Sequence, residues 1–156
     1  MSKLDQIDQK ILELIQKDAS LSATEIAERV NLSQPPCWRR INRLQEEGYI
    51  DRRVGLLNRK KLGLNVVIYT EVKLTANGRQ AVGEFERKIR SFPEVTECYV
   101  MLGNIDFLLR IVTRDVEAYE DFFRKNLSQL PGVHDISSSV ALSEVKYTTE
   151  LPLNYI

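Results

Sequence analysis

The spacing of hydrophobic residues divides the chain into two parts with different periods. Up to about residue 58, apolar residues recur three or four positions apart, which is the spacing of helices that bury one face. From Val66 onward, segments in which every second residue is apolar alternate with segments of helical spacing, as in strands packed against helices. The sequence therefore predicts an α+β protein with a helical N-terminal part and a mixed C-terminal part.

Two short helices are predicted first. One begins at Asp5, a suitable cap, and the other begins at Ser22, which can form a capping box with Glu25. Asn31 ends the second helix, because asparagine tolerates a left-handed backbone better than most residues do. A tight turn is expected at this point.

A third helix is predicted from the cap Ser33 to Gly48. Its first turn holds Pro35 and Pro36, where a missing N–H breaks no hydrogen bond of the helix. At 100° per residue, one face of this helix is apolar and belongs to the core: Cys37, Ile41 and Leu44. The opposite face is basic, and two short helices with a basic second helix are typical of a helix-turn-helix that binds the major groove of DNA.

The polar face of this third helix would contact double-stranded DNA. Arginine and asparagine can make bidentate hydrogen bonds to guanine and adenine edges, and further cations hold phosphates. Trp38 is expected to pack against the first helix, with contact to a base or sugar as the alternative. A helical hairpin with a solvated charged face is the other interpretation of the segment. The residues predicted to contact DNA are Ser22, Ser33, Gln34, Pro35, Arg39, Arg40, Asn42 and Arg43.

Charge is distributed unevenly, although the formal net charge is zero. Residues 29–61 contain nine Lys or Arg against three Asp or Glu, a local excess of six positive charges that the rest of the chain balances. One end of the molecule should therefore attract a polyanion while the other does not.

The sequence also indicates the cellular compartment. No apolar run approaches the ~18 residues of a membrane span, and residues 1–18 have the pattern of an amphipathic helix instead of a signal peptide. Cys37 and Cys98 lack metal-ligand spacing and are expected on apolar faces, with Cys98 in a central strand. We therefore predict a cytoplasmic, nucleoid-associated protein with no membrane partner, catalytic residue, metal site or required cofactor.

The C-terminal part is predicted to follow the order βαββαβ. A strand begins at Val66, two more run from Val95 to Met101 and from Phe107 to Val112, and the last runs from Val133 towards Val145. The helices between them would bury Val82, Phe85, Ile89 and Phe92 in the first and, after the cap Asp115, Val116, Tyr119, Phe123, Leu127 and Leu130 in the second. This order is that of a ferredoxin-like fold, with both helices on one face of an antiparallel sheet.

The other face of this sheet is predicted to need a partner. Helices shield one side only, so the side chains on the opposite side must be buried by a second molecule. Those side chains are Val67, Tyr69, Tyr99 and Met101. We therefore expect a homodimer.

Several segments carry a family resemblance: LDQIDQKIL, LSQPPCWRRINRL, Leu56-Leu57-Asn58, Leu62-Gly63 and Gly103-Asn104-Ile105-Asp106. With them, the chain from Leu4 to Leu153 resembles the Lrp/AsnC family, or feast/famine regulators. The resemblance implies a three-helix (winged) helix-turn-helix domain over residues 1–58. It also implies a ferredoxin-like effector-binding and oligomerisation domain over residues 59–156, in dimers that assemble into octamers as tetramers of dimers.

The turn from Gly103 to Asp106 suits a free amino acid. Glycine leaves backbone N–H groups accessible to a carboxylate, and a nearby acid can meet an ammonium group. An ordinary hairpin is the alternative, because Gly-Asn is common turn chemistry. The family resemblance adds three residues of the last strand, so the predicted effector-binding residues are Gly103, Asn104, Asp106, Ser138, Ser139 and Val140.

These features predict a sequence-specific DNA-binding transcriptional regulator whose assembly and DNA binding respond to a small amino acid. Two alternatives remain open. Some haem-biosynthesis decarboxylases resemble the same family, although the single histidine, His134, lies beside a turn and no metal-ligand or nucleophile motif is present. The other alternative is an amino-acid sensor without specific DNA binding.

Overall fold

The computed structural model describes residues 4–80 and 82–155 and divides the chain into two units. The first unit holds the residues up to Leu56 together with those from Lys146 onward, and the second spans Leu57–Val145. The predicted boundary after residue 58 lies two residues from the observed one. Residues 1–3 of the predicted amphipathic stretch lie outside the described residues.

The residues from Lys146 onward group with the first unit, whereas they were predicted to belong to the second domain, residues 59–156. The side-chain amide of Gln16 donates to the carbonyl oxygen of Leu151 (3.1 Å) and accepts from the N–H of Leu151 (2.9 Å). These paired hydrogen bonds join positions 135 residues apart in the chain. Such a distant pairing has no local sequence pattern.

The first unit contains three helices: α1 (Gln6–Lys17), α2 (Ala23–Arg29) and α3 (Gln34–Glu46). The Asp5 side chain caps α1, and Ser22 caps α2 in a capping box. Ser33 occupies the cap position of α3, but its side chain makes no capping hydrogen bond. The left-handed backbone predicted at Asn31 is present (φ 55°), and Gly48 follows α3 with φ 78°.

The buried face of each helix meets the others in one core, which consists of Ile11, Ile15, Leu21, Ile26, Ala27, Val30, Cys37, Ile41 and Leu44. This set includes all three residues predicted for the core face of α3. The described residues between α3 and the first strand form no β-strand, so no β-hairpin wing follows the helix-turn-helix in this part of the chain.

The second unit has the predicted ferredoxin-like order. Its strands are β1 (Val66–Leu74), β2 (Val95–Val100), β3 (Phe107–Thr113) and β4 (Val133–Val140). Its helices are α4 (Ala76–Gln80), α5 (Val82–Ser91) and α6 (Val116–Lys125). The strands form one antiparallel sheet in the order β2-β3-β1-β4, which confirms the predicted fold.

The helices cover one face of this sheet. Its core consists of Ile68, Val72, Leu74, Phe85, Ile89, Phe107, Leu109, Ile111, Phe122, Leu127 and Leu130. On the opposite face, Tyr69 (43% exposed) and Tyr99 (55%) are open, and Met101 beyond the end of β2 is 38% exposed. Val67 is only 5% exposed, so the prediction that it needs a partner molecule is wrong.

Three further predictions for this unit are wrong. The last strand ends at Val140, opposite Ile68 of β1, and the N–H of Ala141 donates one more bond to the carbonyl oxygen of Val67. Val116 is 56% exposed, because it directly follows the cap Asp115 and lies in the first turn of α6. Cys98 is exposed because β2 is an edge strand and not a central one.

Candidate nucleic-acid interface and effector site

A buried carboxylate in α1 holds two arginines of α3. The side chain of Asp8 is 1% exposed and accepts from Arg40 (Nη1 to Oδ1, 2.8 Å) and from Arg43 (Nη2 to Oδ2, 2.5 Å). Asp8 Oδ2 also accepts from the N–H of Asp5 as part of the α1 capping box (3.2 Å). The three contacts fix the first turn of α1 against the middle of α3.

Asp5 extends this cluster at its exposed side. Its Oδ2 accepts from Arg40 Nη1 at 2.7 Å. The N–H of Asp8 and the Arg40 guanidinium lower the pKa of Asp5, and hydrogen bonds from Arg40 to Asp8 and then to Asp5 raise the pKa of Arg40. Arg40 and Arg43, both predicted to contact DNA, are therefore engaged within the chain.

Arg39 is in a different situation. It is exposed, and no ion pair or hydrogen bond of its side chain occurs within the described ranges 4–80 and 82–155. Together with Gln34, Pro35 and Trp38 it lines a shallow cleft of about 320 Å³ at the start of α3. The structure thus brings Gln34, Pro35 and Arg39, three residues predicted to contact DNA, together at this cleft. Trp38, which was predicted to pack against the first helix, lies beside them.

Trp38 is exposed at the start of α3. The prediction that it packs against the first helix is wrong, because its side chain is 52% exposed. Cys37 and Ile41 fill the core-facing side of α3, and a step of 100° from Cys37 turns Trp38 away from that side.

The remaining residues predicted to contact DNA differ in their exposure and in whether their side chains form hydrogen bonds within the chain. The Ser22 hydroxyl is engaged in the capping box, where it donates to Glu25 Oε2 (2.7 Å) and accepts from the N–H of Glu25 (3.2 Å). Ser33 is exposed, and Asn42 is half-buried. The hydroxyl of Ser33 makes no capping bond.

In the second unit, Asp106 ties the predicted effector turn to the rest of the fold. Its Oδ2 accepts from the N–H of Leu74 (2.8 Å), and its Oδ1 accepts from Arg79 Nε (2.8 Å). Arg79 and then the Leu74 N–H lower the pKa of Asp106, while the same ion pair raises the pKa of Arg79. Gly103 (φ 148°) and Asn104 remain exposed in the turn.

The predicted residues of the last strand do not face in one direction. The Ser138 hydroxyl lies within hydrogen-bonding distance of Tyr119 Oη (2.5 Å) and of Thr70 Oγ1 (3.1 Å), on the side of the sheet that carries the helices. Side chains alternate along a strand, so Ser139 lies on the opposite face. Three consecutive strand residues therefore cannot all contact one ligand on a single face.

The two predicted effector elements are also separate within one chain. The N–H of Asp106 donates to the carbonyl oxygen of Val72 on one side of β1, whereas Ser139 lies beside Tyr69 on the other side. Two strand spacings, about 10 Å, separate β3 from β4 across β1. The predicted set of six residues therefore does not form one site in a single chain.

The described part of the chain has no group of three or more His, Cys, Asp or Glu side chains that could hold a metal ion. None of its helices combines the length and apolarity needed to cross a bilayer.

Comparison with known proteins gives matches over nearly the whole chain. The family profile described as Lrp/AsnC ligand binding domain matches residues 67–151, and the profile described as winged helix-turn-helix DNA-binding matches residues 4–51. The DNA-binding transcriptional activator DecR of Escherichia coli K12 is 36% identical over 96% of this chain and 99% of its own length. The proline dehydrogenase transcriptional activator of Rhizobium radiobacter is 38% identical over 93% of each chain.

A solved structure agrees in fold as well as in sequence. A transcriptional regulator from Neisseria meningitidis, crystallised as a complex with L-Met, superimposes with a TM-score of 0.94 and is 35% identical. The match covers 98% of this chain and 99% of that one.

Proposed function

Because the chain belongs to the Lrp/AsnC family of DNA-binding transcriptional regulators, we propose that it recognises DNA through the first half of α3. Arg39 and Gln34 bind base edges in the major groove, and Asn42 binds a base further along the helix. The hydroxyl of Ser33 lies at the start of α3, where a phosphate contact sets the register, and Ser22 positions α2 through its capping box. A cytoplasmic role on the nucleoid follows from this partner.

The observation that carries this proposal is the difference between neighbouring arginines. Arg39 has a guanidinium open to solvent, whereas Arg40 and Arg43 share the buried carboxylate of Asp8. Moving either of the two to DNA would weaken the compensation of a buried charge, which is costly. We therefore assign Arg40 and Arg43 to holding α1 against α3, and Arg39 to the DNA.

The test compares Arg39→Ala with Arg40→Ala in the full-length chain, using anisotropy of a labelled duplex selected from a random library. Arg39→Ala should bind at least about tenfold more weakly, as expected for one bidentate base contact, with an unchanged urea midpoint. Arg40→Ala should lower the urea midpoint. Arg87→Ala, an exposed arginine of α5, is the matched control for loss of one charge. Equal binding by Arg39→Ala and the wild-type chain would contradict the proposal.

We also propose that a small amino acid is the effector and that its site is completed by a second copy of the chain. The support is the separation of the two elements described above, the match to a ligand binding domain, and the L-Met complex of the Neisseria relative. The effector carboxylate binds at Gly103 and Asn104, and its ammonium group competes with Arg79 for Asp106. Ser139 comes from the other copy. Ser138 and Val140 lie on the opposite face of that strand, where Ser138 positions it through Tyr119.

The open sheet face supports the dimer within this proposal, because exposed aromatic side chains such as Tyr69 and Tyr99 gain from burial. Octamers built as tetramers of dimers would bring further copies together, and effector binding would favour one assembly over another. The spacing of the α3 helices on DNA would then change with the assembly.

Isothermal titration calorimetry of the full-length chain tests the effector, beginning with L-methionine and continuing with the other proteinogenic amino acids. Asn104→Ala should weaken binding of the amino acid that the wild-type chain binds, whereas Asn77→Ala, an exposed asparagine of α4, should not. The absence of binding by any amino acid would contradict this part of the proposal and leave the DNA-binding part intact.

The decarboxylase alternative gains no support from the comparisons. The relatives described above are named as transcriptional regulators. His134 is exposed on β4. No observation favours a reaction at that position.

A further inference from the structure

Trp38 is exposed on α3, whereas the core-facing apolar residues of that helix are covered. A tryptophan usually hides most of its surface within its own protein, yet Trp38 is 52% exposed. Cys37, Ile41 and Leu44, the core-facing residues of α3, are at most 5% exposed. The exposed indole lies on the helix that the chain uses to recognise DNA, so its surroundings indicate what it contacts.

The indole forms one wall of the cleft at the start of α3. Gln34 and Trp38 are four residues apart, as are Pro35 and Arg39, so each pair shares a side of the helix. Pro35 and Pro36 lack an N–H, and this helix start therefore offers fewer donors to a phosphate than an ordinary one does. The wall formed by Pro35 and Trp38 suits an apolar group.

Double-stranded DNA offers such a group in the major groove at one kind of base. Thymine presents its 5-methyl group there, whereas guanine, adenine and cytosine present hydrogen-bonding groups. We infer that Trp38 and Pro35 form a contact site for the 5-methyl group of a thymine. Gln34 and Arg39, at the rim of the same cleft, hold donors for the neighbouring base edges.

This inference rests on the proposed recognition of DNA by α3 and adds a base preference to it. Thymine is preferred at the base pair that faces Trp38, once in each half-site. Replacing thymine by deoxyuridine removes the methyl group and leaves base pairing in place. The substitution therefore tests the methyl contact separately from base pairing.

The experiment measures affinities of the full-length chain for the selected duplex by anisotropy, with each thymine replaced in turn by deoxyuridine. The wild-type chain should lose about fourfold in affinity at one thymine per half-site, the effect of one buried methyl group. Trp38→Ala should bind the unmodified duplex more weakly and lose nothing further at that thymine. Circular dichroism should show that Trp38→Ala remains folded, because Trp38 lies outside the core cluster of the first unit.

Tyr155→Ala removes another exposed aromatic side chain from the same unit (82% exposed) and should behave as the wild-type chain on every duplex. Full sensitivity of Trp38→Ala to deoxyuridine would overturn the inference, as would insensitivity of the wild-type chain at every thymine. Either result leaves the proposed function standing if the selected duplex still binds more tightly than a scrambled one. Equal binding of selected and scrambled duplexes would overturn both.

Discussion

Two carboxylates, Asp8 in the first unit and Asp106 in the second, have similar partners and differ in their exposure. Asp8 accepts from Arg40, from Arg43 and from the backbone N–H of Asp5, and its side chain is 1% exposed. Both of its arginines are also partly covered, with 29% and 36% of their side chains exposed. This carboxylate is therefore largely shielded from competing cations in solution.

Asp106 is more open. It accepts from Arg79 and from the backbone N–H of Leu74, but its side chain is 22% exposed and that of Arg79 is 63% exposed. Water and counterions reach such a pair, so its net contribution to stability is small and rearranging it costs little. An ammonium group can compete for Asp106, whereas releasing an arginine from Asp8 would leave a buried charge poorly compensated.

The difference shows that the charge of a side chain does not by itself make it available to a ligand. Burial of the partner carboxylate decides whether an arginine is available to a ligand. An arginine paired with a buried carboxylate is part of the fold, whereas one paired with an exposed carboxylate can be displaced by another cation. The same rule supports our proposal that Arg39, which has no carboxylate partner in the described part of the chain, contacts DNA.

The largest expected effect is that of Asp8→Ala. Losing this carboxylate leaves two guanidinium groups without their shared partner, and we expect the free energy of unfolding to fall by about 3 kcal/mol. Urea denaturation followed by circular dichroism measures this. Glu13→Ala, at an exposed acid on the same helix, should change the free energy by less than about 0.5 kcal/mol. Equal effects of the two substitutions would show that the Asp8 cluster is not structural.

A smaller effect is expected at the exposed pair. Arg79→Ala removes the guanidinium that competes for Asp106, so the affinity for the amino-acid effector should rise, by about threefold for an exposed ion pair. Calorimetric titration of the variant beside the wild-type chain measures the change, with Arg87→Ala as the control for charge. A loss of affinity would mean that Arg79 itself contacts the effector.

The smallest expected effect is on acid stability. The pKa of Asp106 is lowered from its ordinary value of 3.8 in the folded state, chiefly by Arg79. The stabilisation is therefore complete above that value and is lost as the pH falls through the lowered pKa. Asp106→Asn should be less stable than the wild-type chain at neutral pH and should lose less stability below about pH 4. Thermal unfolding of both chains across this pH range measures how the stability of each depends on pH. Parallel pH dependences would contradict the lowered pKa of Asp106.

The sequence predicted those features that depend on nearby residues. The helix caps at Asp5 and Ser22 and the left-handed residue Asn31 follow from patterns within a few positions, and the structure confirms them. The order of strands and helices was predictable for the same reason, because each element has its own hydrophobic period.

Features that depend on distant residues were not predictable in this way. The partner of Arg40 and Arg43 lies more than thirty residues earlier in the chain, and Asp8 had the ordinary appearance of an acid in the first turn of a helix. The bond between Gln16 and Leu151 spans nearly the whole sequence. The effector prediction used consecutive positions of the last strand, although alternation in a strand turns neighbouring side chains to opposite faces.

The most direct test of the account is a crystal structure of the full-length chain bound to its selected duplex, in which the distances from Asp8 to Arg40 and Arg43 are measured. We predict that both ion pairs persist and that Arg39 contacts a base edge. An Arg43 guanidinium that has left Asp8 for a base, with Arg39 still in solvent, would contradict the central claim that burial of the partner decides which arginine binds DNA.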